Sequence, residues 1–453
     1  MNRRRLLKAT AGFAVIGLAM PRMALAAATE RAIRGSINAR DFGVFPDAAE
    51  NQSSAFGKML ERAGADDLPV FLPPGRYVLA NVTLPPRVRL SGVPGATRLI
   101  QGGGALLIGQ TLSLLALSGL TLDGAYTPLS GGAKALLDIR GAEKIAIDGC
   151  AILNSGASGI ALEQVGGRIE RTDIANAAEY GIYSVDAHGF DFSDNRVADC
   201  GNGGILVHRR QPGEDGTGVF RNRIARIRAD RGGTGQYGNA INAYRADNVR
   251  VGGNHISDSA FSAIRGNSAG NMLVDANTCL RSGETAVYAE FAFQGAVISA
   301  NIVDGAAHGI SMANFDKGGR LCTCSGNIVR NLSPNGPYPS PLAGFGVGIN
   351  VEADSAVTGN VIENAPLCGI RIGWGPFLRN VTATGNVIRK AATGIAVSVV
   401  EGSGSAVISG NVISESPRGA IVGHRWAEAV TKDLAMTGSA GHARLTVENN
   451  QVS

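Results

Sequence analysis

Six short apolar segments between residues 240 and 373 carry mostly polar residues at two matching positions, with Ala313 and Gly373 as the exceptions. Each segment begins with Ala or Gly followed by Ile or Val, and the first and third residues after that pair share one face of a strand, because strand side chains alternate. These residues are Asn242 and Tyr244, Arg265 and Asn267, Tyr288 and Glu290, Ser311 and Ala313, Asn350 and Glu352, and Arg371 and Gly373. Strands stacked about 4.8 Å apart would join them into one polar row about 25 Å long, which we call the strip.

Two glutamates of the strip suit acid–base chemistry. Glu290 and Glu352 occupy equivalent positions two strands apart, so their backbones are expected about 9–10 Å apart. That separation overlaps the roughly 6.5–9.5 Å between the two carboxyl groups of inverting glycoside hydrolases. The structural alternative is that both glutamates pair with the arginines of neighbouring strands, Arg265 and Arg371.

Elimination or epimerisation of a uronate is a second chemistry that these residues permit. It needs a cation for the sugar carboxylate, supplied by Arg265 or Arg371, and a base near the α-proton, supplied by Tyr288, Tyr244 or His208. The expected function is therefore that of a polysaccharide-active glycoside hydrolase or uronate lyase or epimerase, and the alternative is a β-helix that binds a glycan or the cell envelope without catalysis. The predicted catalytic residues are Glu290, Glu352, Arg265 and Tyr288.

Polar and aromatic residues around the glutamates predict a saccharide-binding surface. Trp374 directly follows the strip and offers a flat face for stacking on a sugar ring. The predicted substrate-binding residues are His208, Asn242, Tyr244, Asn267, Asp316, Arg320, Asn350, Arg371 and Trp374.

No cofactor is predicted, because the sequence has no Rossmann, iron–sulfur or haem pattern. Glu290, Glu352 and Asn350 form an oxygen set that suits Ca²⁺ better than Zn²⁺, so Ca²⁺ is the one metal considered. Six cysteines occupy mostly apolar repeat positions, which predicts buried free thiols rather than disulfides.

A repeat positions the strip. One anchor residue, usually Asn, recurs about every 22–27 residues, with longer intervals where loops intervene. The anchors are Cys150, Thr172, Asn195, Asn222, Asn254, Asn277, Asn301, Asn327, Asn360, Asn386, Asn411 and Asn450. Apolar residues precede and follow each anchor, so each repeat predicts three short strands that must stack on their neighbours.

The predicted fold is therefore all-β, a single right-handed parallel β-helix with an asparagine ladder. A leucine-rich solenoid has a similar period, but its fixed leucine pattern is missing. Before the repeats, Phe56, Met59, Leu60 and Ala63 have helical spacing and predict a short capping helix.

The first 26 residues have the pattern of an export signal. Arg3, Arg4, two leucines and Lys8 precede a short apolar run and an Ala-x-Ala cleavage site, which resembles a twin-arginine signal. The resemblance implies a periplasmic or secreted protein, the twin-arginine export machinery as a partner during transport, and no stable membrane anchor. Removal of residues 1–26 turns 42 basic and 37 acidic residues into 37 of each, so net charge gives no case for a nucleic-acid partner.

The chain after the signal resembles pectate-lyase-like β-helices. Asp41-Phe42-Gly43-Val44 and, after a helix, Phe71-Leu72-Pro73-Pro74-Gly75 are similar to the N-terminal segment of that superfamily. The whole chain resembles a family of twin-arginine-translocated repeat proteins. In pectate lyases, polygalacturonases and mannuronan epimerases, the groove follows the strand that corresponds here to the Gly-Ile segments. Their catalytic motifs do not match this sequence, so the resemblance implies a fold and a polysaccharide or oligosaccharide partner rather than a reaction.

The predicted organisation is a signal peptide over 1–26, a cap segment over 27–80 and a β-helix over 81–453. Three long insertions interrupt the β-helix, at 224–238, 330–346 and 425–444. The first two enter just before strip strands and are expected to wall the strip on both sides, whereas the third is expected to cap the far end.

Overall fold

A computed structural model describes residues 35–130 and 132–453. The predicted export signal lies outside the described residues. Almost all described strands pair in parallel with the strands one repeat before and after them, and the pairs separate into three faces. The predicted all-β parallel β-helix is confirmed.

Sheet 1 contains the Gly-Ile strands and therefore the strip. Its strands are Val82–Thr83, Leu107–Leu112, the first parts of Ala135–Asp148 and Ser158–Glu170, Tyr180–Val185, Gly203–Glu214, Asn239–Asp247, Ile264–Asn267, the second parts of Thr278–Glu290 and Ile302–Met312, Val347–Val351, the second parts of Val361–Ile372 and Val387–Ser398, and Ile421–Arg425. The strand Glu428–Asp433 adds to its end in antiparallel orientation.

Within each repeat, the strand of sheet 2 precedes the anchor residue in the sequence and the strand of sheet 3 follows it. Sheet 2 comprises Ile37–Asn38, Val70–Phe71, Arg87–Ser91, Leu114–Ser118, the second parts of Ala135–Asp148 and Ser158–Glu170, Asp191–Ser193, Gly218–Phe220, Arg250–Gly252, Met272–Asp275, Gln294–Ser299, Arg320–Ser325, Ala353–Thr358, Arg379–Thr384, Ala406–Ser409 and Leu445–Glu448. Sheet 3 comprises Gly75–Leu79, Thr97–Gln101, Thr121–Asp123, Ala151–Leu153, Asp173–Ala175, Arg196–Ala198, Arg223–Ile227, His255–Ser259, Ile328–Arg330, Val412–Ser414, Gln451–Val452 and the first parts of the four long strands that turn into sheet 1.

Inward-facing side chains of the three sheets form one continuous core. The Ile or Val of each strip strand is buried, from Ile241 to Ile370. The glycine that precedes many of them is required by close contact between coils: a Cβ at Gly348 would lie 2.3 Å from the carbonyl oxygen of Gly369. The Gly-Ile pattern is therefore a packing requirement of sheet 1.

The asparagine ladder is present and unbroken from Asn195 to Asn450. At Asn301, for example, Oδ1 accepts hydrogen bonds from the backbone N and Nδ2 of Asn277, both at 3.0 Å. Its Nδ2 donates to the Val274 carbonyl and to Asn327 Oδ1, each at 3.0 Å. Each asparagine side chain thus satisfies a buried backbone N–H and a carbonyl of the preceding coil, which fixes the two coils in register.

The N-terminal end of the core is covered by the predicted helix, which spans Ser53–Ala65. Its buried residues are Phe56, Met59, Leu60 and Ala63, the four that the sequence pattern predicts. The other helical segments of the described residues are Ala39–Phe42, Phe315–Lys317 and Leu434–Thr437. All six cysteines are buried and unpaired, as predicted.

The insertions differ from their predicted arrangement. The irregular segments are 228–238 and 331–346. Both lie at the N-terminal ends of sheet 1 strands. They therefore border only one side of the strip, whereas the sequence predicted walls on both sides. The opposite side is bordered by shorter turns, among them the helix Phe315–Lys317. The third insertion contains a hairpin strand and a helix. The predicted domain boundaries stay predictions.

We expect Asn301→Ala to lower the free energy of unfolding by about 3 kcal/mol or more, because buried donors and acceptors of two coils lose their partners at about 1–3 kcal/mol each. Urea denaturation followed by circular dichroism measures the change. Asn335→Ala, in an exposed loop position, is the matched control and should change stability by less than about 0.5 kcal/mol. Equal stabilities of the two variants would contradict a structural role of the ladder.

Candidate functional site

The strip exists as the sequence alternation predicts. Register pairs run in one line from Asn242 through Arg265, Tyr288, Ser311 and Asn350 to Arg371. A second line, two residues further along each strand, pairs His208 with Tyr244, Tyr244 with Asn267, and Asn267 with Glu290. The structure therefore places His208 on the same surface, one coil before the predicted start of the strip.

Arg265 and Glu290 form a buried bidentate ion pair. Arg265 Nε lies 2.7 Å from Glu290 Oε1, and Arg265 Nη2 lies 2.9 Å from Glu290 Oε2. Asn267 Nδ2 adds a third hydrogen bond to Glu290 at 2.8 Å, and the carboxylate is only 2% exposed. Both oxygens of Glu290 are thus engaged, which is the structural alternative to a catalytic role and opposes its service as a base.

Glu284 is a second buried carboxyl group at Arg265 that the sequence pattern did not single out. Its Oε2 lies 3.5 Å from Arg265 Nη1, and its Oε1 accepts a hydrogen bond of 2.7 Å from the Tyr338 hydroxyl. Burial raises the pKa of Glu284 above its ordinary value. Extending the strand alternation four residues upstream of Tyr288 would have found Glu284, but its Tyr338 partner comes from an insertion with no repeat pattern.

The Arg265 cluster also holds the insertions in place. Arg265 Nη1 donates to the Gly235 carbonyl of the first insertion at 2.6 Å, and Glu284 binds Tyr338 of the second. The Arg265 guanidinium lies 5.3 Å from the centre of the Tyr288 ring, and burial raises the pKa of that phenol well above its ordinary value. These contacts give Arg265 a positioning role and argue against Tyr288 as a base at neutral pH.

Glu352 differs from Glu290 because no described Arg or Lys forms an ion pair with it. Its Oε2 accepts a hydrogen bond of 2.7 Å from the backbone N of Phe315, and the residue is 7% exposed. Burial raises the pKa of Glu352 to about 7, and the negative charge of Asp316 adds to the increase. A carboxyl group with this pKa exchanges a proton near neutral pH, which suits a general acid or base.

The predicted pairing of Glu352 with Arg371 is absent. Arg371 Nη2 instead donates to the Ala343 carbonyl at 2.6 Å, and its guanidinium lies 5.4 Å from the centre of a Trp374 ring. Arg371 and Trp374 line a cavity of about 200 Å³ at the C-terminal end of the strip, together with Trp426 of the third insertion. The third insertion therefore contributes to this surface, a role that its sequence position did not indicate.

Aromatic rings line the opposite end of the strip. The His208 imidazole lies edge-on between Tyr183 and Tyr244, with ring centres 5.3 and 5.4 Å apart. Burial lowers the pKa of His208 to about 4, so the ring is neutral at pH 7. Its Nε2 is buried and has no hydrogen-bond partner among the described residues.

Amide groups of the strip also carry free hydrogen-bonding capacity. Asn242 Oδ1 and Asn350 Oδ1 are buried and accept no hydrogen bond within the described part of the chain, although Asn350 Nδ2 donates to Ser311 Oγ at 3.2 Å. Buried polar atoms are normally paired with protein, water or ligand groups. These two oxygens therefore remain able to accept a hydrogen bond from water or from a ligand.

The two predicted residues of the turn after the strip differ in position. Asp316 lies close enough to Glu352 to raise its pKa and contacts Lys317 at 3.3 Å. Arg320 instead begins a sheet 2 strand and donates to Gln294 Oε1 at 3.2 Å. Asp316 thus borders the strip, whereas Arg320 does not reach it.

The side chains along the strip are a poor set of ligands for a metal ion. Within the described residues, no group of three or more His, Cys, Asp or Glu side chains is arranged to hold a metal ion. Ca²⁺ at Glu290, Glu352 and Asn350 stays a prediction, and the Arg265 ion pair opposes it because both Glu290 oxygens already accept hydrogen bonds.

Comparison with known proteins identifies the family. Residues 130–224 and 213–388 match the family model described as a right handed beta helix region. The two matches together extend from 130 to 388, more than half of the 453 residues, so the chain belongs to this family. No curated protein sequence matches the chain.

Several solved structures share the fold. The pre-mature gene product 12 of bacteriophage phi29 is similar with a TM-score of 0.61 and 13% identity, covering 89% of this chain and 57% of that protein. This chain thus spans little more than half of the phi29 protein. The Dettilon tailspike protein gives 0.50 and 14%, covering 84% and 67%. The catalytic unit of an alpha-1,3-glucanase from Streptomyces thermodiastaticus gives 0.49 and 14%, covering 92% and 69%.

At these identities the similarities concern the fold alone. In addition, no helix within residues 35–130 and 132–453 has the length and apolar character needed to cross a membrane. The chemistry of the strip must therefore be inferred from its own residues.

The raised pKa of Glu352 predicts a specific pH dependence of stability. The folded protein keeps the Glu352 proton up to about pH 7, whereas a glutamate at its ordinary pKa of 4.5 releases it earlier. The free energy of unfolding should therefore fall as pH rises between these values, by on the order of 3 kcal/mol from this group. Glu352→Gln, which cannot ionise, should lose this part of the pH dependence.

Urea denaturation at pH 5, 6, 7 and 8 measures the difference between wild type and Glu352→Gln. The variant should gain stability relative to wild type as pH rises, and Glu448→Gln at an exposed position should follow wild type. Parallel pH profiles for wild type and Glu352→Gln would show that Glu352 ionises normally.

Proposed function

We propose that the protein binds a polysaccharide or oligosaccharide chain along the strip. The observation that carries this proposal is the single register line of amide, hydroxyl, aromatic and arginine side chains from Asn242 to Arg371. Hydrogen-bonding groups interleaved with ring faces are what a chain of hydroxylated rings requires. Asn242 Oδ1 and Asn350 Oδ1 on this line have no hydrogen-bond partner among the described residues, so both can accept a hydrogen bond from a ligand.

The two insertions support the same proposal. They follow one side of the strip and are held by a buried contact to Arg265 and a partly buried contact to Glu284. Because these contacts fix the wall relative to the strand line, a ligand meets a surface that is already formed, which reduces the entropy lost on binding.

Glycoside hydrolysis is a second candidate function, and Glu352 favours it. The pair to consider is Glu352 with Asp316, because Asp316 is the charged group that helps to raise the pKa of Glu352. A buried acid beside a more exposed carboxylate is the arrangement from which glycosidases take a proton donor and a base or nucleophile. The pair of Glu290 and Glu352 that the sequence pattern predicts is less suitable, since Arg265 neutralises Glu290. A uronate lyase or epimerase needs a cation for the sugar carboxylate, but Arg265 is already paired with Glu284 and Glu290.

Export through the twin-arginine pathway, a periplasmic or secreted location and membership of the twin-arginine-translocated repeat family belong to the same proposal. They depend on the residues Arg3–Lys8 and the cleavage pattern at Ala24–Ala26. An exported protein would meet extracellular or envelope polysaccharides, which agrees with a saccharide-binding strip.

Affinity electrophoresis tests the binding proposal, with gels containing alginate, polygalacturonate, hyaluronan or a neutral glucan. We expect retardation by at least one polysaccharide, and about tenfold weaker binding by Asn350→Ala and by Trp374→Ala, equivalent to about 1.4 kcal/mol. Arg250→Gln, an exposed change on sheet 2, is the control and should bind as wild type does. Loss of binding in the control alone would place the ligand on sheet 2 and contradict the proposal.

Product release from the polysaccharide that binds tests the hydrolytic candidate. Glu352→Gln should lower the rate by at least about a hundredfold while retaining binding, because general acid–base catalysis contributes about 10²–10⁴-fold. Glu448→Gln should keep the wild-type rate. Binding without product release by the wild type, or full activity of Glu352→Gln, would reject hydrolysis and leave the binding function.

A further inference from the structure

We infer that the cavity beyond Arg371 receives the end of an acidic saccharide chain, with the carboxylate of its terminal sugar bound between Arg371 and Arg418. This inference deepens the proposed function, because it names the ligand class and the part of the ligand that one end of the strip recognises. It also assigns binding roles to Arg418, Trp426 and His424, which no sequence pattern indicated.

The cavity has the size and enclosure of a subsite for one sugar. Its volume is about 200 Å³, below the roughly 300–1,000 Å³ of sites for drug-sized ligands, so it suits a single ring. The second insertion contributes Leu342 and Ala343, and the hairpin of the third insertion contributes Trp426. Arg371 continues the row that begins at Asn242, so the cavity lies at the end of the strip.

The hairpin turn limits the strip at this end. Its two strands, Ile421–Arg425 and Glu428–Asp433, pair in antiparallel orientation at the last position of sheet 1. The connecting turn reaches back over the coil Val387–Ser398, so that the Trp426 ring lies against Gly375 and would clash with a Cβ there at 2.4 Å. A saccharide that follows the strip towards Arg371 therefore meets the hairpin, which is why the geometry favours a chain end.

The charges around the cavity favour an anion. Arg371 and Arg418 are its charged lining residues, and no Asp or Glu among the described residues lines it. Arg418 is exposed and forms no ion pair with any described residue, in contrast to most surface arginines of this chain, which pair with Asp or Glu on neighbouring coils. An arginine without a carboxylate partner is available for a ligand carboxylate, which it can bind through two parallel hydrogen bonds.

The apolar lining fits the ring of the same sugar. The Trp374 and Trp426 rings are 5.6 Å apart and nearly perpendicular, so they present two faces to the cavity. Trp426 is 45% exposed and Leu342 is 78% exposed, unusually high values for large apolar side chains bordering a cavity. His424 Nε2 is buried without a partner in the described structure and, because burial lowers the pKa of His424, can accept a hydrogen bond from a sugar hydroxyl.

Intrinsic tryptophan fluorescence tests the inference directly, because the only two tryptophans of the chain, Trp374 and Trp426, both line the cavity. The probes are trisaccharides of galacturonate, mannuronate and glucuronate, each compared with its uncharged methyl ester. We expect at least one acidic trisaccharide to change the emission and to bind at least about tenfold more tightly than its ester. Arg418→Gln should remove this preference, whereas Arg223→Gln, an exposed arginine on distant coils of sheet 3, should retain it.

The amount of protein that binds to a polymer tests whether the cavity recognises chain ends. With the polymer of the acidic sugar that binds, the amount of protein bound should follow the number of chain ends and not the number of sugar residues. Binding of many molecules along one polymer, with unchanged tryptophan emission, would overturn the inference while the binding function stands. Equal affinity for acid and ester, or an unaltered preference in Arg418→Gln, would also overturn it. Absence of both emission change and gel retardation would reject the inference and the proposed function together.

Discussion

The register between successive coils is the constraint on which the rest of the structure depends. Each buried asparagine of the ladder accepts hydrogen bonds from the backbone N and the side-chain amide of the preceding asparagine, as Asn254 does from Asn222. A slip by one residue would turn every core side chain outward, so the ladder and the apolar core specify the same alignment. The strip is a consequence of that alignment, because side chains from strands more than a hundred residues apart fall into one line.

Electrostatics distinguishes two parts of the strip, the cluster around Arg265 and the C-terminal part with Glu352 and Arg371. In the first part, Arg265 is shared by Glu284 and Glu290 and bonds a carbonyl of the first insertion. Removing one partner of a buried ion pair leaves an uncompensated charge and costs about 3–5 kcal/mol. The Arg265 cluster is therefore required for the stability of the fold. Glu352 and the cavity at Arg371 are different, because a carboxyl group without a cation and a cation without a carboxylate remain there.

The parts of the fold that the repeat determines could be predicted from the sequence. Alternation and the spacing of the asparagines predicted the core, the ladder and the line from Asn242 to Arg371, because these depend only on strand periodicity and coil stacking. The sequence could not decide which carboxylate is neutralised: Glu290 and Glu352 have equivalent positions, yet only Glu290 meets an arginine. The difference arises from the directions of long side chains, which periodicity does not determine.

The contacts made by residues of the insertions also could not be predicted from the sequence. Tyr338 and Trp426 lie in segments without a repeat, and their contacts with Glu284 and Gly375 depend on how each loop folds back over sheet 1. The expectation of walls on both sides was wrong for the same reason, since the position of an insertion in the sequence indicates which strand end it joins but not the direction of its path. Side chains that border the strip and its cavity are thus partly supplied by the least regular segments of the β-helix.

The most direct test of the saccharide-binding strip is a crystal structure of the full chain soaked with acidic and neutral hexasaccharides. The strip predicts ligand density along the line from Asn242 to Arg371, with hydrogen bonds to Asn350 Oδ1 and a ring packed against Trp374. Density confined to the open groove of about 930 Å³ on sheet 2, around Arg250 and Leu321, would contradict the account.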